Sequence, residues 1–161
     1  MHEGEYMLRP AVDVDGPLLL ELILEFAAFV GSSGKVTITA ERLHESLFVK
    51  RQAEALLLFH GAAPAGYALF YPDYSSWSGL ASMYLEDLYI REEHRRGGVG
   101  AMVFARLASL CRERGYEAMG WYCRDWNTNA IAFYQKMGAE RQEGFGVYRL
   151  DAAGLARLAG E

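Results

Sequence analysis

A strand pattern, a glycine-rich turn and a helix pattern follow one another in the middle of the chain, and this run constrains the fold most. SMYLEDLYI predicts a strand over about 82–90, and the apolar periodicity after REEHRRGGVGAM predicts a helix over about 98–114 that ends at Gly115. A helix start leaves backbone N–H groups unpaired and carries partial positive charge, and glycines let a ligand approach those groups. This arrangement therefore predicts a cradle for a phosphate or pyrophosphate.

The turn does not match the two best-known nucleotide motifs. A P-loop needs Lys and then Ser or Thr where this chain has Ala101 and Met102, and a dinucleotide fingerprint needs a small residue in place of Val103. Taken alone, the turn is also compatible with a simple helix start beside two solvated arginines, Arg95 and Arg96.

Length and charge limit the remaining classes. The 161 residues fit a single domain spanning 1–161, in which strands alternate with helices, and this alternation predicts the α/β class. A formal net charge of -5 argues against nucleic acid as the main partner. No apolar run approaches the ~20 residues of a membrane span, and the two cysteines and four histidines show no metal-ligand spacing. We therefore expect a soluble cytoplasmic protein with no membrane partner and no metal.

The rest of the pattern supplies further elements. In chain order it predicts a strand ending near Pro10, a helix capped by Asp13 or Asp15, a short helix capped by Thr39, two strands around a turn at Gly61 to Pro64, a strand over about 119–125, a helix ended by Gly138, a last strand over about 140–150 and a terminal helix.

The motifs together resemble one family. RRGGVG, residues 95–100, fits the R-x-x-G-x-G/A pyrophosphate loop of the GCN5-related N-acetyltransferases (GNAT). YLEDLYI before the loop, RDWNTNAIAFYQKMGAE after it and the later EGF resemble the diamine (spermidine/spermine) and thialysine acetyltransferase branch over about residues 6–160. The resemblance implies a mixed, mostly antiparallel central sheet with helices on both faces, splayed at the strand that binds acetyl-CoA. It also implies a homodimer.

The resemblance assigns the acetyl-CoA contacts residue by residue. They are Leu88, Tyr89 and Ile90 of the splayed strand, Arg95, Arg96, Gly97, Gly98, Val99, Gly100 and Ala101 of the loop, and Asn127 and Tyr134 after it. Asn127 would also serve as a helix N-cap, and the two roles are compatible.

Two residues match the catalytic groups of the family. Tyr134 matches the general acid that protonates the departing CoA sulfur, although a tyrosine there could equally be a core aromatic. Glu86 matches the carboxylate that binds the substrate amine and relays its proton, and its alternative is a solvated acid at a strand end. Since side chains alternate along a strand, we expect Glu86 and Asp87 to point to opposite faces, with Asp87 also near the substrate.

The expected substrate is a small cationic amine. Glu143 and Trp77 match residues near the substrate in the diamine enzymes, but the Tyr-Glu pair that follows the first helix there is replaced by Phe29 and Val30. We therefore doubt a long polyamine and expect a diamine, a short polyamine or a lysine-like amino acid. The acids that could compensate are Glu21, Glu25 and Asp73.

The sequence thus predicts an acetyl-CoA-dependent N-acetyltransferase that acts by direct attack in a ternary complex. The alternatives are transfer to a protein or peptide amine and a non-catalytic acyl-CoA sensor.

Overall fold

The protein is built around a five-stranded sheet whose strands lie side by side in chain order. The computed structural model describes residues 5–160, which include every predicted site residue. The chain forms two compact units, of which the first ends at Tyr122 and the second begins at Cys123. The strands are β1 (Tyr6–Pro10), β2 (Glu54–His60), β3 (Ala63–Ser75), β4 (Leu80–Ile90) and β5 (Met119–Gly120). The helices of the first unit are α1 (Gly16–Phe29), α2 (Ala40–His44), which continues as a π-helical turn over Glu45–Val49, and α3 (Val99–Glu113).

Strand direction and helix placement confirm the expected α/β class. β1 to β4 pair antiparallel, and β5 joins β4 in parallel. On one face of the sheet, Leu22 of α1 and Leu43 of α2 pack in a buried cluster with Tyr67 of β3. On the other face, Cys111 of α3 lies with its Sγ 3.9 Å from the Sδ of Met83 in β4. Helices therefore cover both faces of the sheet.

The second unit contains α4 (Thr128–Lys136) and α5 (Ala152–Ala159). The predicted last strand over about 140–150 is wrong, because this backbone has neither helical nor strand structure. Gly144 turns the chain with a φ of +84°, and glycine inside a strand weakens it. The predicted strand over 119–125 is also shortened to the two residues of β5.

The helix boundaries follow local chemistry. Thr39 caps α2 as predicted, since its Oγ1 accepts a hydrogen bond from the N–H of Arg42 at 3.3 Å. Asp15 stands at the N-cap position of α1, but its carboxylate does not cap that helix. It accepts hydrogen bonds from Arg9 at 2.6 and 2.8 Å and from the Val12 N–H at 2.7 Å. The acid therefore fastens the end of β1 to the start of α1.

Among residues 5–160, no helix is long and apolar enough to cross a membrane.

We expect Asp15→Asn to lower the free energy of unfolding by about 1–3 kcal/mol at pH 7, because it removes a charged acceptor from two donors. The Arg9 hydrogen bonds hold the pKa of the Asp15 carboxyl below its usual range, against the opposing effect of burial. A lowered pKa stabilises the fold above the unfolded value, and this stabilisation is lost as pH falls. Urea unfolding should therefore show the gap between wild type and variant shrinking below about pH 4. A gap that does not change with pH would contradict this role.

Candidate active site

A β-bulge in β4 organises the candidate site. Leu69 of β3 lies opposite Asp87, but the next residue, Phe70, lies opposite Leu85. Glu86 is therefore the extra residue on β4, and a bulge of this kind bends a strand and re-aims its side chains. The parallel pairing of β5 with β4 reaches only to Tyr84 in the described chain, so the two strands stop pairing just before the bulge. This is the splay that the resemblance predicted.

The bulge also corrects the predicted placement of the two acids. Tyr67 and Tyr71, four residues apart on β3, point to the same face of the sheet. The Tyr67 hydroxyl donates to Asp87 Oδ2 at 2.8 Å, and the Tyr71 hydroxyl donates to Glu86 Oε2 at 3.4 Å. Both carboxylates therefore reach one face, and the prediction of opposite faces is wrong. The extra residue of the bulge interrupts the alternation on which that prediction depended.

Asp87 sits in a low-polarity environment. Burial raises its pKa to about 6, the hydrogen bond from Tyr67 opposes that rise, and the charge of Glu86 adds to it. Tyr67 is 1% exposed, and burial together with the Asp87 charge raises the pKa of its phenol. The pair therefore presents a neutral phenol and a carboxyl group that changes charge close to physiological pH.

Of the two acids, Glu86 is the exposed one, and it lies beside aromatic rings. The ring of Tyr71 is 5.0 Å from that of Tyr84, and Tyr84 contacts Tyr122 edge-to-face at 5.5 Å. Glu86 forms no ion pair with a described residue. Its negative charge is therefore available to a cationic ligand.

The acids of α1 have a different role. Arg91, directly after β4, donates to Glu25 at 2.6 and 3.0 Å and to Glu21 at 2.8 Å. It also donates to the carbonyl oxygen of Pro64 at 2.8 Å. The Arg91 hydrogen bond holds the pKa of Glu25 low against the effect of burial. Since Glu21 and Glu25 are both paired with Arg91, neither replaces the missing acid after α1 as an unpaired carboxylate.

The glycine-rich loop has the backbone of an anion cradle. Arg96, Gly97 and Gly98 adopt successive positive φ angles of +75°, +67° and +87° immediately before α3. Among the hydrogen bonds of residues 5–160, none has a backbone N–H of residues 96–101 as its donor. Nothing lies within 4 Å of the missing Cβ positions of the two glycines. Consecutive unpaired N–H groups at a helix start fit a pyrophosphate.

Arg95 is held at the edge of this loop by α1. Its Nε donates to the carbonyl oxygen of Ile90 at 2.7 Å, and its guanidinium carbon lies 4.2 Å from the ring centre of Phe29 and 5.7 Å from that of Tyr89. The aromatic residue that replaces the family's Tyr-Glu pair therefore stacks on an arginine of the loop.

Beyond the bulge, the backbone N–H and C=O groups of β4 point alternately toward β3 and toward the opposite edge of the strand. The Arg91 N–H donates to Ala65 of β3 at 2.9 Å, and backbone groups alternate along a strand. Tyr89 therefore directs its backbone polar groups to β3, whereas Leu88 and Ile90 direct theirs to the opposite edge. Of the three residues assigned to the pantetheine arm, these two have the orientation needed to pair with it.

Two predicted residues lie in the second unit, on or beside α4. Asn127 caps this helix, since its Oδ1 accepts from the N–H of Ala130 at 3.3 Å. Tyr134 is half-buried in the second turn. Burial raises its pKa to about 12, and the neighbouring Cys123 contributes. The phenol therefore keeps its proton at neutral pH, as a general acid requires.

The last two predicted residues, Trp77 and Glu143, have exposed side chains. Trp77 lies in the turn between β3 and β4 and is 99% exposed. Leu80, where β4 begins, is six residue steps from Glu86, a distance of roughly 20 Å along the strand. Glu143 lies 3.4 Å from Arg141, which is also 3.1 Å from Asp125. The roles of Trp77 and Glu143 remain predictions.

Sequence reasoning missed the tyrosines that surround the two acids. Tyr67 and Tyr71 carried a usable signal, because their spacing on one strand predicts a shared face. The involvement of Tyr84 and Tyr122 depends on the pairing of β4 with its neighbours, which local sequence does not encode.

Comparison with known proteins points in one direction. Residues 19–139 match the model of the acetyltransferase (GNAT) family. The chain is 36% identical over 146 residues to the thialysine N-epsilon-acetyltransferase of Caenorhabditis elegans, covering 89% of this chain and 90% of that protein. It is 29% identical over 167 residues to the Bos taurus protein of the same name, covering 96% and 98%.

Solved structures show the same fold at low sequence identity. An integron cassette protein of Vibrio cholerae superposes with a TM-score of 0.82 at 17% identity, covering 97% of this chain and 98% of that one. An aminoglycoside acetyltransferase from an uncultured soil sample superposes with a TM-score of 0.78 at 20% identity, covering 91% and 97%.

We expect Tyr67→Phe to raise the pKa of Asp87 above its value of about 6, because the lost hydrogen bond stabilised the carboxylate. The midpoint can be read from the carboxyl ¹³C shift of labelled aspartate during a pH titration. Tyr71→Phe is the matched control, since the Tyr71 hydroxyl bonds Glu86 and not Asp87. An unchanged or lower midpoint in Tyr67→Phe would refute the pairing.

Proposed function

The chain belongs to the acetyltransferase (GNAT) family and is an acetyltransferase, and we propose that it transfers the acetyl group of acetyl-CoA to the terminal amine of a short cationic substrate. The observation that carries this proposal is the bulge, which aims Glu86 and Asp87 at one face of the sheet. The strand that bears them leads directly into the glycine-rich loop. A binding site for a cation thus adjoins a cradle for an anion, which suits an amine acceptor and a CoA donor.

The substrate class follows from the charges and from the relatives. Glu86 has no cationic partner among the described residues, and Asp87 is mostly ionised at pH 7 because its pKa is about 6. Two relatives matched over most of this chain are named for thialysine, a lysine-like amine. We therefore propose lysine-like amino acids and short diamines as acceptors, in preference to long polyamines.

The proposed reaction is a direct attack. An alkyl ammonium has a pKa of ~10.4, so roughly one molecule in 2,500 is neutral at pH 7. Glu86 accepts the amine proton, directly or through a water, and the nitrogen lone pair forms a bond to the acetyl carbon. The carbon–sulfur bond then breaks, and Tyr134 donates its phenolic proton to the departing thiolate. The nitrogen loses its second proton to water, and a proton from water restores the Tyr134 phenol. The products are the N-acetyl amine and CoA with its thiol restored.

We also propose the homodimer that the resemblance implies and the cytoplasmic location that the sequence pattern predicts.

The proposed function is tested by measuring the release of CoA thiol from acetyl-CoA in the presence of each amine of a panel. The panel contains lysine, thialysine, 1,4-diaminobutane, spermidine, spermine and short peptides. We expect turnover with the lysine-like and diamine members and weaker turnover with spermine. Turnover with peptides alone would replace this proposal with a protein acetyltransferase, and acetyl-CoA binding without turnover would replace it with an acyl-CoA sensor.

Gly98→Ala should weaken acetyl-CoA binding by about 10-fold, because a Cβ disfavours the φ of +87° that aims the loop N–H groups. Calorimetry measures this without turnover. Gly79→Ala is the matched control, since Gly79 has a φ of +72° and an equally open surrounding but lies in the turn between β3 and β4. Equal acetyl-CoA affinities in wild type and Gly98→Ala would remove the loop from the cofactor site.

Tyr134→Phe should lower kcat by about 10²- to 10⁴-fold, because proton donation to the thiolate is lost while the ring is kept. Acetyl-CoA affinity should change little. Tyr148→Phe, at a tyrosine that is 97% exposed, is the control for loss of a phenol. Steady-state kinetics would count against the acid role if the two variants had equal kcat.

A further inference from the structure

Three tyrosine rings form a continuous aromatic wall that begins at Glu86. The wall consists of Tyr71, Tyr84 and Tyr122, with ring centres 5.0 and 5.5 Å apart in succession. The Tyr71 hydroxyl donates to Glu86 at 3.4 Å, which joins the wall to that carboxylate. Burial and the charge of Glu86 raise the pKa values of Tyr71 and Tyr84, so both rings stay neutral at physiological pH. Neutral aromatic faces beside a carboxylate attract organic cations.

A second carboxylate lies along the strands on the opposite side of Tyr71 and Tyr84 from Glu86. Asp73 lies two residues beyond Tyr71 on the same face of β3 and is paired in register with Ser82. One of its oxygens, Oδ1, accepts from the N–H of Tyr74 at 2.8 Å. Its charge adds to the effect of burial on the pKa of Tyr84. Among residues 5–160 it forms no ion pair, so it resembles Glu86 and differs from Glu21 and Glu25.

The separation of the two carboxylates suits a short dication. Along β3, the backbone from Asp73 to the step between Leu69 and Phe70, opposite which Glu86 lies, covers three to four residue steps, a span of about 12 Å. A chain of five or six single bonds of ~1.5 Å at tetrahedral angles, with a charge-assisted hydrogen bond of ~2.8 Å at each end, covers about 12–13 Å. Diaminobutane and lysine have such chains between their two nitrogens, whereas the terminal nitrogens of spermine are much further apart.

We infer that the aromatic wall binds the apolar chain and charge of the acceptor and that Asp73 holds its second cationic group, so that the site selects acceptors with two short-spaced cations. This inference rests on the proposed function. Asp73 thereby supplies the distal carboxylate that is missing where Phe29 and Val30 follow α1.

The test compares two acceptors that differ by one ammonium group, 1,4-diaminobutane and 1-aminobutane. In wild type we expect the higher kcat/KM for the diamine. Asp73→Asn should reduce that preference by about 2- to 5-fold, the range of an exposed ion pair, and should leave kcat/KM for the monoamine unchanged. Glu113→Gln is the control for loss of one negative charge, because Glu113 lies at the end of α3 and pairs with Arg106.

The wall is tested at Tyr122, whose side chain is 73% exposed and whose replacement should leave the fold intact. Tyr122→Leu should raise the KM of the diamine by about 2- to 5-fold, with kcat little changed, because the aromatic face is lost. Tyr122→Phe keeps the ring and should restore the wild-type KM.

The outcomes separate this inference from the proposed function. If wild type turns over small amines but Asp73→Asn keeps the full preference for the diamine, the inference is overturned and the proposed function stands. If Tyr122→Leu and Tyr122→Phe have equal KM values, the wall does not bind the acceptor. If wild type acetylates no small amine, the proposed function fails and the inference fails with it.

Discussion

The arrangement of the candidate site depends on one extra residue in β4. Glu86 has no partner position on β3, and its insertion places two consecutive acids on the same face of the sheet. The same face carries tyrosines of β3 that bond to both acids, and those tyrosines set the environment of each one. A regular strand would have directed one acid to the α3 face. The bulge thus produces a concentrated negative surface, and the strand then continues into a loop whose unpaired N–H groups suit the opposite charge.

Two acids of α1 are paired with an arginine and do not join this surface as unpaired carboxylates. Arg91 donates hydrogen bonds to Glu21 and Glu25 of α1, and these bonds fasten the end of β4 to the first helix. Arg95 is held nearby by stacking on Phe29. The chain on the N-terminal side of the loop is therefore fastened to α1. Glu86 and Asp73, which form no ion pair with a described residue, lie further back along the sheet beside the aromatic rings.

Local patterns predicted the parts of the molecule that local chemistry controls. Thr39 and Asn127 cap their helices as expected, and the turn before α3 has the backbone that its glycines predicted. The predictions from local sequence failed where contacts between distant segments determine the structure. The last strand does not form around Gly144, and Asp15 bonds Arg9 instead of capping α1. In both places a local preference competes with contacts that sequence alone does not reveal.

The sequence by itself determined the α/β class, the anion cradle and the residue types of the site. These follow from short-range periodicity, from the freedom of glycine and from motif spacing, all of which are encoded within a few residues. Only the tertiary structure decided which way the acids point and which of them are paired with an arginine. Glu86 and Asp87 share a face because β4 slips by one residue against β3, and Glu25 is paired with Arg91 because α1 packs against the end of β4. Strand register and helix packing join residues far apart in the chain, so the pairing and direction of each acid emerge only after folding.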